Sequence, residues 1–197
     1  MIDRKNLPVV AIAVAAAAAA VLAYVVKDAL RVPMTVRALP AASTSLPAPI
    51  AGLSRMVALP EGRTRDLAAP PGKLLIVHYW ATWCPPCVSE FPDLARFWKE
   101  YGKKPGLELL AVSVDEDWRT VDDWLKKNGI AGIPLALDPR RTSAKAFGTE
   151  KFPETYVLSP SGEVVDKFVG AILWSAPPLR KRIDELMATY PPARTGG

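Results

Sequence analysis

The chain has 197 residues, of which 50% are hydrophobic and 23% are charged. This composition excludes a disordered chain, and the length suits one ordinary domain with extensions. The 25 basic residues exceed the 20 acidic ones, but they are scattered among acids, so we interpret them as solvated faces and expect no nucleic-acid partner. Two cysteines and one histidine are too few for a multi-disulfide scaffold or a structural zinc site, so we expect no bound metal.

The N-terminal segment is apolar. No charged residue lies between Leu7 and Val26, and a helix of this length spans a hydrocarbon core of roughly 30 Å. Arg4 and Lys5 precede it, which by the positive-inside tendency places the N-terminus in the cytoplasm and the rest of the chain on the far side. We therefore assign 1–31 to a membrane anchor. A cleaved signal peptide is the alternative, and either outcome exports the remainder of the chain.

A linker and one domain come after the anchor. Prolines recur among alanine and serine over 32–52, a composition that resists helix and cannot form a core. We assign 53–190 to a single globular domain and expect the tail, 191–197, to fray.

The domain begins with a predicted hairpin of two short strands, 55–59 and 64–67. Nearly continuous apolar runs at 73–80 and 107–114 predict two central strands that are buried on both faces. The helix predicted between them, 88–101, completes a strand-helix-strand crossover. Its periodicity places one set of residues against the sheet (Cys87, Phe91, Leu94, Ala95 and Trp98) and another set in water (Asp93, Arg96, Lys99 and Glu100).

The remaining predicted elements alternate between helix and strand. They are a helix at 118–125 begun by acidic residues at 115–117, a strand at 133–137, a helix at 142–147, a hairpin of 155–158 with 163–169, and a final helix capped by Ser175.

The two cysteines, Cys84 and Cys87, enclose Pro85 and Pro86 at the first strand-to-helix junction. One helical turn separates the thiols, an arrangement suited to making and breaking one disulfide. A merely stabilising disulfide is the alternative, but a loop this short constrains little of the unfolded chain. We therefore interpret the pair as a redox-active site that needs no other cofactor.

Cys84 is the expected nucleophile, because the unpaired N–H groups and the dipole of a helix start favour a thiolate. Cys87 would then resolve the mixed disulfide formed with a partner. Pro85 and Pro86 have no N–H to donate to the Cys84 sulfur. We therefore expect Cys84 to be less acidic than cysteines followed by donors, which favours a reductant over an oxidant.

Three titratable side chains are candidates for tuning the cysteines. The only histidine, His78, lies on a strand whose alternation points it inward beneath the dithiol, where it would accept the Cys87 proton or serve as a satisfied interior residue. Glu90 and Glu154 would tune cysteine acidity or contact a partner. For Glu90 we favour the alternative, an exposed charge on the helix.

The stretch 79–92, which contains both cysteines, resembles the active-site signature of membrane-anchored thioredoxin-like proteins, the TlpA/ResA/CcmG family. Later family landmarks are similar, in order, to the segments 111–115, 152–155 and 161–165. The resemblance covers about 52–190. It implies an α/β thioredoxin-like fold, with a mixed central sheet flanked by helices, an N-terminal hairpin and an inserted strand-helix element.

The resemblance also implies a substrate groove made of Trp83, Pro85, Pro86, Phe152 and Pro153. Thioredoxin-like proteins carry a cis-proline at the position of Pro153, which would present the backbone of Phe152 to an extended substrate; a proline that merely starts a strand is the alternative. Two positions depart from the family pattern, since His78 stands where relatives commonly carry asparagine or aspartate, and bulky Phe152 could narrow the groove. We expect Trp83 to be exposed as a docking rim and Trp80 to be buried.

For function, the resemblance implies a thiol:disulfide reductase in the bacterial inner membrane, with its catalytic domain in the periplasm, often serving cytochrome c maturation or copper-centre assembly. The implied partners are a disulfide-containing client protein and a transmembrane thiol electron donor of the DsbD or CcdA kind. A dithiol oxidase or isomerase shares every motif residue and differs only in redox potential. A copper-binding assembly factor would need a histidine after the cysteines, which this chain lacks, and the dithiol spacing leaves little reason for a peroxidase.

Overall fold

Among the residues that the structure describes, seven strands form one mixed sheet at the centre of the domain. The computed structural model describes residues 53–69 and 71–192, all of which belong to the compact unit 37–197. The predicted anchor, the predicted linker and the end of the predicted tail lie outside the described residues. Within those residues, none of the helices has both the length and the apolar character needed to cross a membrane.

The sheet is built around its most buried strand. In chain order the strands are β1 (Met56–Ala58), β2 (Thr64–Asp66), β3 (Leu74–Trp80), β4 (Leu107–Ser113), β5 (Leu135–Leu137), β6 (Glu154–Leu158) and β7 (Val164–Val169). They lie in the order β2-β1-β5-β4-β3-β6-β7. Strand β3 pairs in parallel with β4 and antiparallel with β6, and every one of its residues is buried, as expected for a strand covered on both faces.

In the described part of the chain, four α-helices accompany the strands: α1 (Pro85–Tyr101), α2 (Trp118–Lys127), α3 (Thr142–Ala146) and α4 (Pro177–Thr189). Elements α2, β5 and α3 lie between β4 and β6 and form the predicted insertion. Helix α2 begins as expected, because the Asp117 carboxylate accepts a hydrogen bond from the Thr120 N–H at 2.8 Å. The antiparallel pair of β1 and β2 confirms the N-terminal hairpin.

One buried carboxylate ties the loop after β3 to the loop after β4. Asp115 accepts hydrogen bonds from the Thr82 N–H at 3.0 Å, from the Thr82 hydroxyl at 2.7 Å and from the Ser113 hydroxyl at 2.6 Å. Because β3 and β4 are parallel neighbours, both loops leave the same edge of the sheet. Asp115 therefore holds in place the segment that leads into Cys84, a role that the sequence did not predict.

Helix α1 is fixed to the sheet through an aromatic cluster. The Phe91 ring is fully buried, with its centroid 3.9 Å from that of Trp80 and 5.4 Å from that of Trp124. Further along the helix Phe97 is also buried, and its ring centroid lies 5.1 Å from that of Trp174, which lies outside the helix. These contacts set the position of α1, and with it the position of the cysteines at its start.

Some expectations for the helices were wrong. Asp93, predicted to face water, is buried, and its Oδ2 accepts hydrogen bonds from the Ser175 N–H at 2.9 Å and the Ser175 hydroxyl at 3.1 Å. Ser175 therefore does not cap the final helix, since the N-cap residue of α4 is Ala176, which makes no side-chain cap bond. Ala95 and Trp98, predicted on the buried face of α1, are only half-buried.

We predict that Phe91→Ala lowers the free energy of unfolding by about 3 to 5 kcal/mol, because it leaves a cavity between α1 and the sheet. Urea denaturation of the oxidised protein measures this loss. Lys99→Ala, at an exposed position of the same helix, should change the free energy by less than about 0.5 kcal/mol. Equal losses for the two variants would show that the cluster does not anchor α1.

Candidate active site

Cys84 and Cys87 form a disulfide at the start of α1, with their Cα atoms 5.2 Å apart. Cys84 is the N-cap residue of the helix, and its Sγ accepts a hydrogen bond from the Cys87 N–H at 3.3 Å. Pro85 and Pro86 occupy the first two helical positions and have no N–H to offer. The Cys87 N–H is therefore the donor to the Cys84 sulfur that the sequence left unidentified.

The two sulfurs differ in their access to solvent. Cys84 is 5% exposed and Cys87 is fully buried, whereas Pro85 and Pro86 are exposed beside them. The disulfide is thus more enclosed than its place at a helix start suggested. Cys84 is therefore the more accessible of the two sulfurs, and the roles of nucleophile and resolving thiol stay predictions.

Two of the predicted groove residues, Trp83 and Phe152, contact each other. The peptide bond between Phe152 and Pro153 is cis, as the family resemblance implied. The ring of half-buried Phe152 lies edge-on to the ring of Trp83, the residue before Cys84, with the centroids 6.1 Å apart. Trp83 is 53% exposed and Trp80 is fully buried, which confirms both tryptophan predictions.

A buried histidine and a buried glutamate lie together behind the dithiol. His78 is fully buried on β3, and its Nδ1 lies 2.9 Å from the Thr155 hydroxyl oxygen. Its Nε2 lies 3.1 Å from Glu90 Oε1, although the angles are too poor for a hydrogen bond. The expectation of an exposed Glu90 was wrong, because Glu90 is buried and its Oε2 accepts a hydrogen bond from the Ile172 N–H at 2.6 Å.

The sequence spacing explains why Glu90 is close to the dithiol. Cys87 and Glu90 are three residues apart on α1, so their side chains lie on one face of the helix, a turn from each other. Both are buried, so this face is the one directed at the sheet. The carboxyl group therefore lies one turn behind the resolving cysteine.

Burial controls the charge of this pair. It lowers the pKa of His78 to about 3 and raises the pKa of Glu90 to about 8, in each case because the charged form loses its hydration. The hydrogen bond from Ile172 opposes the rise in the Glu90 pKa but does not outweigh burial. At neutral pH the imidazole and most of the carboxyl groups are therefore uncharged.

Glu154, the third candidate for tuning, has partners of its own. It is buried, its Oε2 accepts a hydrogen bond from the Tyr156 hydroxyl at 2.8 Å, and the same atom lies 3.3 Å from Lys167 Nζ. Its described polar contacts are thus with neighbouring strand residues and not with the cysteines. A role in tuning remains a prediction.

Sequence reasoning missed one residue at the groove. The Arg141 guanidinium carbon lies 5.2 Å from the centroid of the Trp83 ring and 5.8 Å from that of the Phe152 ring. We name these three side chains the Trp83–Phe152–Arg141 cluster. No sequence signal singled out Arg141, which reads as half of a solvated basic pair with Arg140.

Comparison with known proteins places the chain in a family. A model of the AhpC/TSA family matches residues 48–167, which is more than half of the sequence. The chain belongs to the AhpC/TSA family. It is 32% identical to the thiol-disulfide oxidoreductase ResA of Bacillus subtilis over 136 residues, which are 69% of this chain and 72% of that protein. It is 30% identical to ResA of Halalkalibacterium halodurans over 112 residues, 57% of this chain and 62% of that one, so it covers less than two thirds of this second relative.

A solved structure agrees with this placement. The AhpC/TSA family domain resembles the crystal structure of a thiol:disulfide interchange protein of the thioredoxin family from Chlorobium tepidum, with a TM-score of 0.52 and 26% identity over 73% of this chain and 97% of that one. The thioredoxin-like α/β fold implied by the motifs is thereby confirmed. Among the described residues of our protein, no group of three or more histidine, cysteine or acidic side chains is arranged to hold a metal ion.

The shifted pKa values predict a pH dependence of stability. In the unfolded chain the pKa values of His78 and Glu90 return to 6.5 and 4.5. Between pH 6.5 and 8 the folded protein keeps a Glu90 proton that the unfolded chain has lost, so the free energy of unfolding falls by about 1 kcal/mol per pH unit as pH rises. Between pH 4.5 and 6.5 the Glu90 proton of the folded state is offset by the His78 proton of the unfolded state, and the pair adds no slope.

We predict that Glu90→Gln removes the decline between pH 6.5 and 8, which urea denaturation of the oxidised AhpC/TSA family protein at these two pH values would measure. The disulfide keeps both cysteines from titrating during the experiment. Glu116→Gln, at an exposed glutamate, should leave the decline in place. An unchanged slope in Glu90→Gln would contradict the assignment of a neutral buried acid.

Proposed function

We propose that this protein is a membrane-tethered, extracytoplasmic reductase that uses Cys84 and Cys87 to reduce disulfides in client proteins. The broader class follows from kinship: the chain is a thiol:disulfide oxidoreductase, as is the relative of that name to which it is 32% identical. The observation that carries the assignment of the site is the Cys84 sulfur at the N-cap of α1, which accepts the Cys87 N–H at 3.3 Å. A helix start and an N–H donor both stabilise a thiolate there.

The proposed reaction transfers two electrons to the client. In the reduced enzyme the Cys84 thiolate attacks one sulfur of a client disulfide, so that a Cys84–client disulfide forms and the other client sulfur leaves as a thiolate that takes up a proton. Cys87 then loses its proton and attacks the Cys84 sulfur. The Cys84–Cys87 disulfide forms, the second client sulfur leaves as a thiolate, and the client is reduced while the enzyme is oxidised.

Glu90 is the group we assign to accept the Cys87 proton, which it does from its ionised form, the minority form at neutral pH. It lies one helical turn from Cys87, and its pKa of about 8 is close to the usual thiol value of about 8.5, so proton transfer between them costs little free energy. Burial lowers the pKa of His78 to about 3 and so disfavours an imidazolium. We therefore give His78 a positioning role, since its ring lies between the Thr155 hydroxyl and Glu90 Oε1.

The hydrogen-bond donors at the Cys84 sulfur bear on the direction of electron transfer. In the described part of the chain that sulfur receives the Cys87 N–H, while Pro85 and Pro86 supply none. A thiolate with few donors is less stabilised, which favours the disulfide form of the enzyme and a reducing role. The alternative is an oxidase or isomerase, which would use the same atoms.

The location and partners complete the proposal. The uncharged segment between Leu7 and Val26 supports an anchor at 1–31 in the bacterial inner membrane, with the catalytic domain on the periplasmic side. A transmembrane thiol donor of the DsbD or CcdA kind would return the dithiol to its reduced form. We further propose clients in cytochrome c maturation or copper-centre assembly, and we assign no nucleic-acid partner.

We predict that Cys87→Ser in the full chain accumulates a mixed disulfide between Cys84 and its client, because the resolving thiol is absent. Non-reducing electrophoresis of acid-quenched cells, followed by mass spectrometry of species released by dithiothreitol, measures this product. Cys84→Ser with Cys87 intact is the matched control and should trap nothing. Trapping by Cys84→Ser instead of Cys87→Ser would reverse the two roles.

A second prediction concerns the redox potential. Equilibration of the protein with glutathione buffers should give a reduction potential below about −200 mV, as expected for a reductant. A potential near −120 mV would contradict the proposed direction and favour an oxidase.

A further inference from the structure

The Trp83–Phe152–Arg141 cluster lies where a client must bind. Trp83 directly precedes Cys84, and Phe152 directly precedes Pro153, so a polypeptide joined to the Cys84 sulfur has to pass over or beside these rings. Trp83 and Arg141 are exposed and Phe152 is half-buried. The cluster therefore combines two aromatic surfaces with a positive charge at the opening to the nucleophile.

The backbone of Arg141 is unusual for its residue type. Arg141 has φ 55° and ψ 29°, the left-handed region, which glycine or asparagine adopts more readily than a residue with a long side chain. It stands at the N-cap of α3 but makes no side-chain cap bond. Asp138 does the capping, accepting hydrogen bonds from the Thr142 and Ala144 N–H groups at 2.9 Å each. Formation of α3 thus gives no reason for an arginine at this position.

The guanidinium also lacks a carboxylate partner among the described residues, and its described contacts are the two rings. A cation over aromatic faces keeps its N–H groups at the ring edges free to donate. The surrounding segment, 139–153, adds further positive charge, with Arg140, Lys145 and Lys151 exposed against one exposed acid, Glu150.

We propose that Arg141 recognises a carboxylate of the client, an aspartate or glutamate close in sequence to the cysteine that Cys84 attacks. The occupant of the surface is thus an acidic, disulfide-containing polypeptide segment. Its carboxylate receives paired N–H bonds from the guanidinium fork while its neighbouring side chains lie on Trp83 and Phe152. This inference rests on the proposed function and adds to it a preference for clients with a negative charge near the reacting cysteine.

The test uses two disulfide-linked peptides that differ at one position, with glutamate or glutamine two residues from the cysteine. The second-order rate at which the pre-reduced protein reduces each peptide is measured at low and at high salt. We expect the acidic peptide to react about three- to fivefold faster at low salt, and the difference to shrink at high salt.

Variants distinguish a specific role of Arg141 from a general effect of positive charge near the groove. Arg141→Asn and Arg141→Gly keep a residue that accepts the left-handed backbone, so they should fold at least as stably as the natural chain and bring the ratio of the two rates to about one. Arg140→Gln removes an equal charge from the adjacent exposed position and should keep the preference. Arg141→Lys should keep part of it, because a lysine retains the charge but not the planar fork.

The outcomes distinguish this inference from the function on which it rests. Equal rates for the two peptides, or the same loss of preference in Arg140→Gln as in Arg141→Asn, would overturn the role of Arg141 and leave the reductase proposal standing. Reduction of neither peptide by the pre-reduced protein would overturn both.

Discussion

Helix α1 turns one face toward the sheet, and that face carries both the core and the chemistry. Cys87, Glu90, Phe91 and Leu94 follow one another along it at spacings of one or three residues, and all are buried. The contact of Phe91 with Trp80 fixes the distance between the helix and β3, while Asp115 holds the loop that connects β3 to the helix. The Cys84 sulfur is therefore held at the start of the helix, in a fixed position relative to Trp83 and Phe152. A change that shifts this helix should disturb stability and thiol chemistry together.

The same face explains why two ionisable groups can lie inside the domain without charge. Burial favours the neutral form of both the Glu90 carboxyl group and the His78 imidazole. The family resemblance implies asparagine or aspartate at position 78, where this chain has histidine. An aspartate there would bring a second acid close to Glu90, whereas the His78 ring places Nε2 3.1 Å from Glu90 Oε1 and Nδ1 2.9 Å from the Thr155 hydroxyl oxygen. The departure from the family pattern is therefore compatible with a neutral Glu90.

Much of the fold could be predicted from local pattern, because the hairpin, the crossover and the dithiol each depend on neighbouring residues. The errors concern buried acids. Glu90 and Asp93 look like exposed helix charges, since periodicity alone gives no reason to bury them. Both carboxyl groups accept a hydrogen bond from a backbone N–H group 82 residues away, that of Ile172 for Glu90 and that of Ser175 for Asp93, and no local pattern predicts such partners. The Cys87 donor was missed for a simpler reason. Pro85 and Pro86 have no N–H group, but the residue after them, Cys87, has one that reaches the Cys84 sulfur.

Arg141 was missed because the three residues of the Trp83–Phe152–Arg141 cluster come from separate parts of the chain. Trp83 precedes α1, Arg141 precedes α3, and Phe152 precedes β6, so only the folded sheet brings them together. Arg141 and Phe152 both belong to the segment between β4 and β6, which contains the insertion. The strand-helix-strand crossover thus supplies the dithiol, Glu90 and Trp83, while the segment between β4 and β6 supplies Arg141 and Phe152. Under our proposal for Arg141, the preference for a client can change through this second segment without altering Cys84 and Cys87.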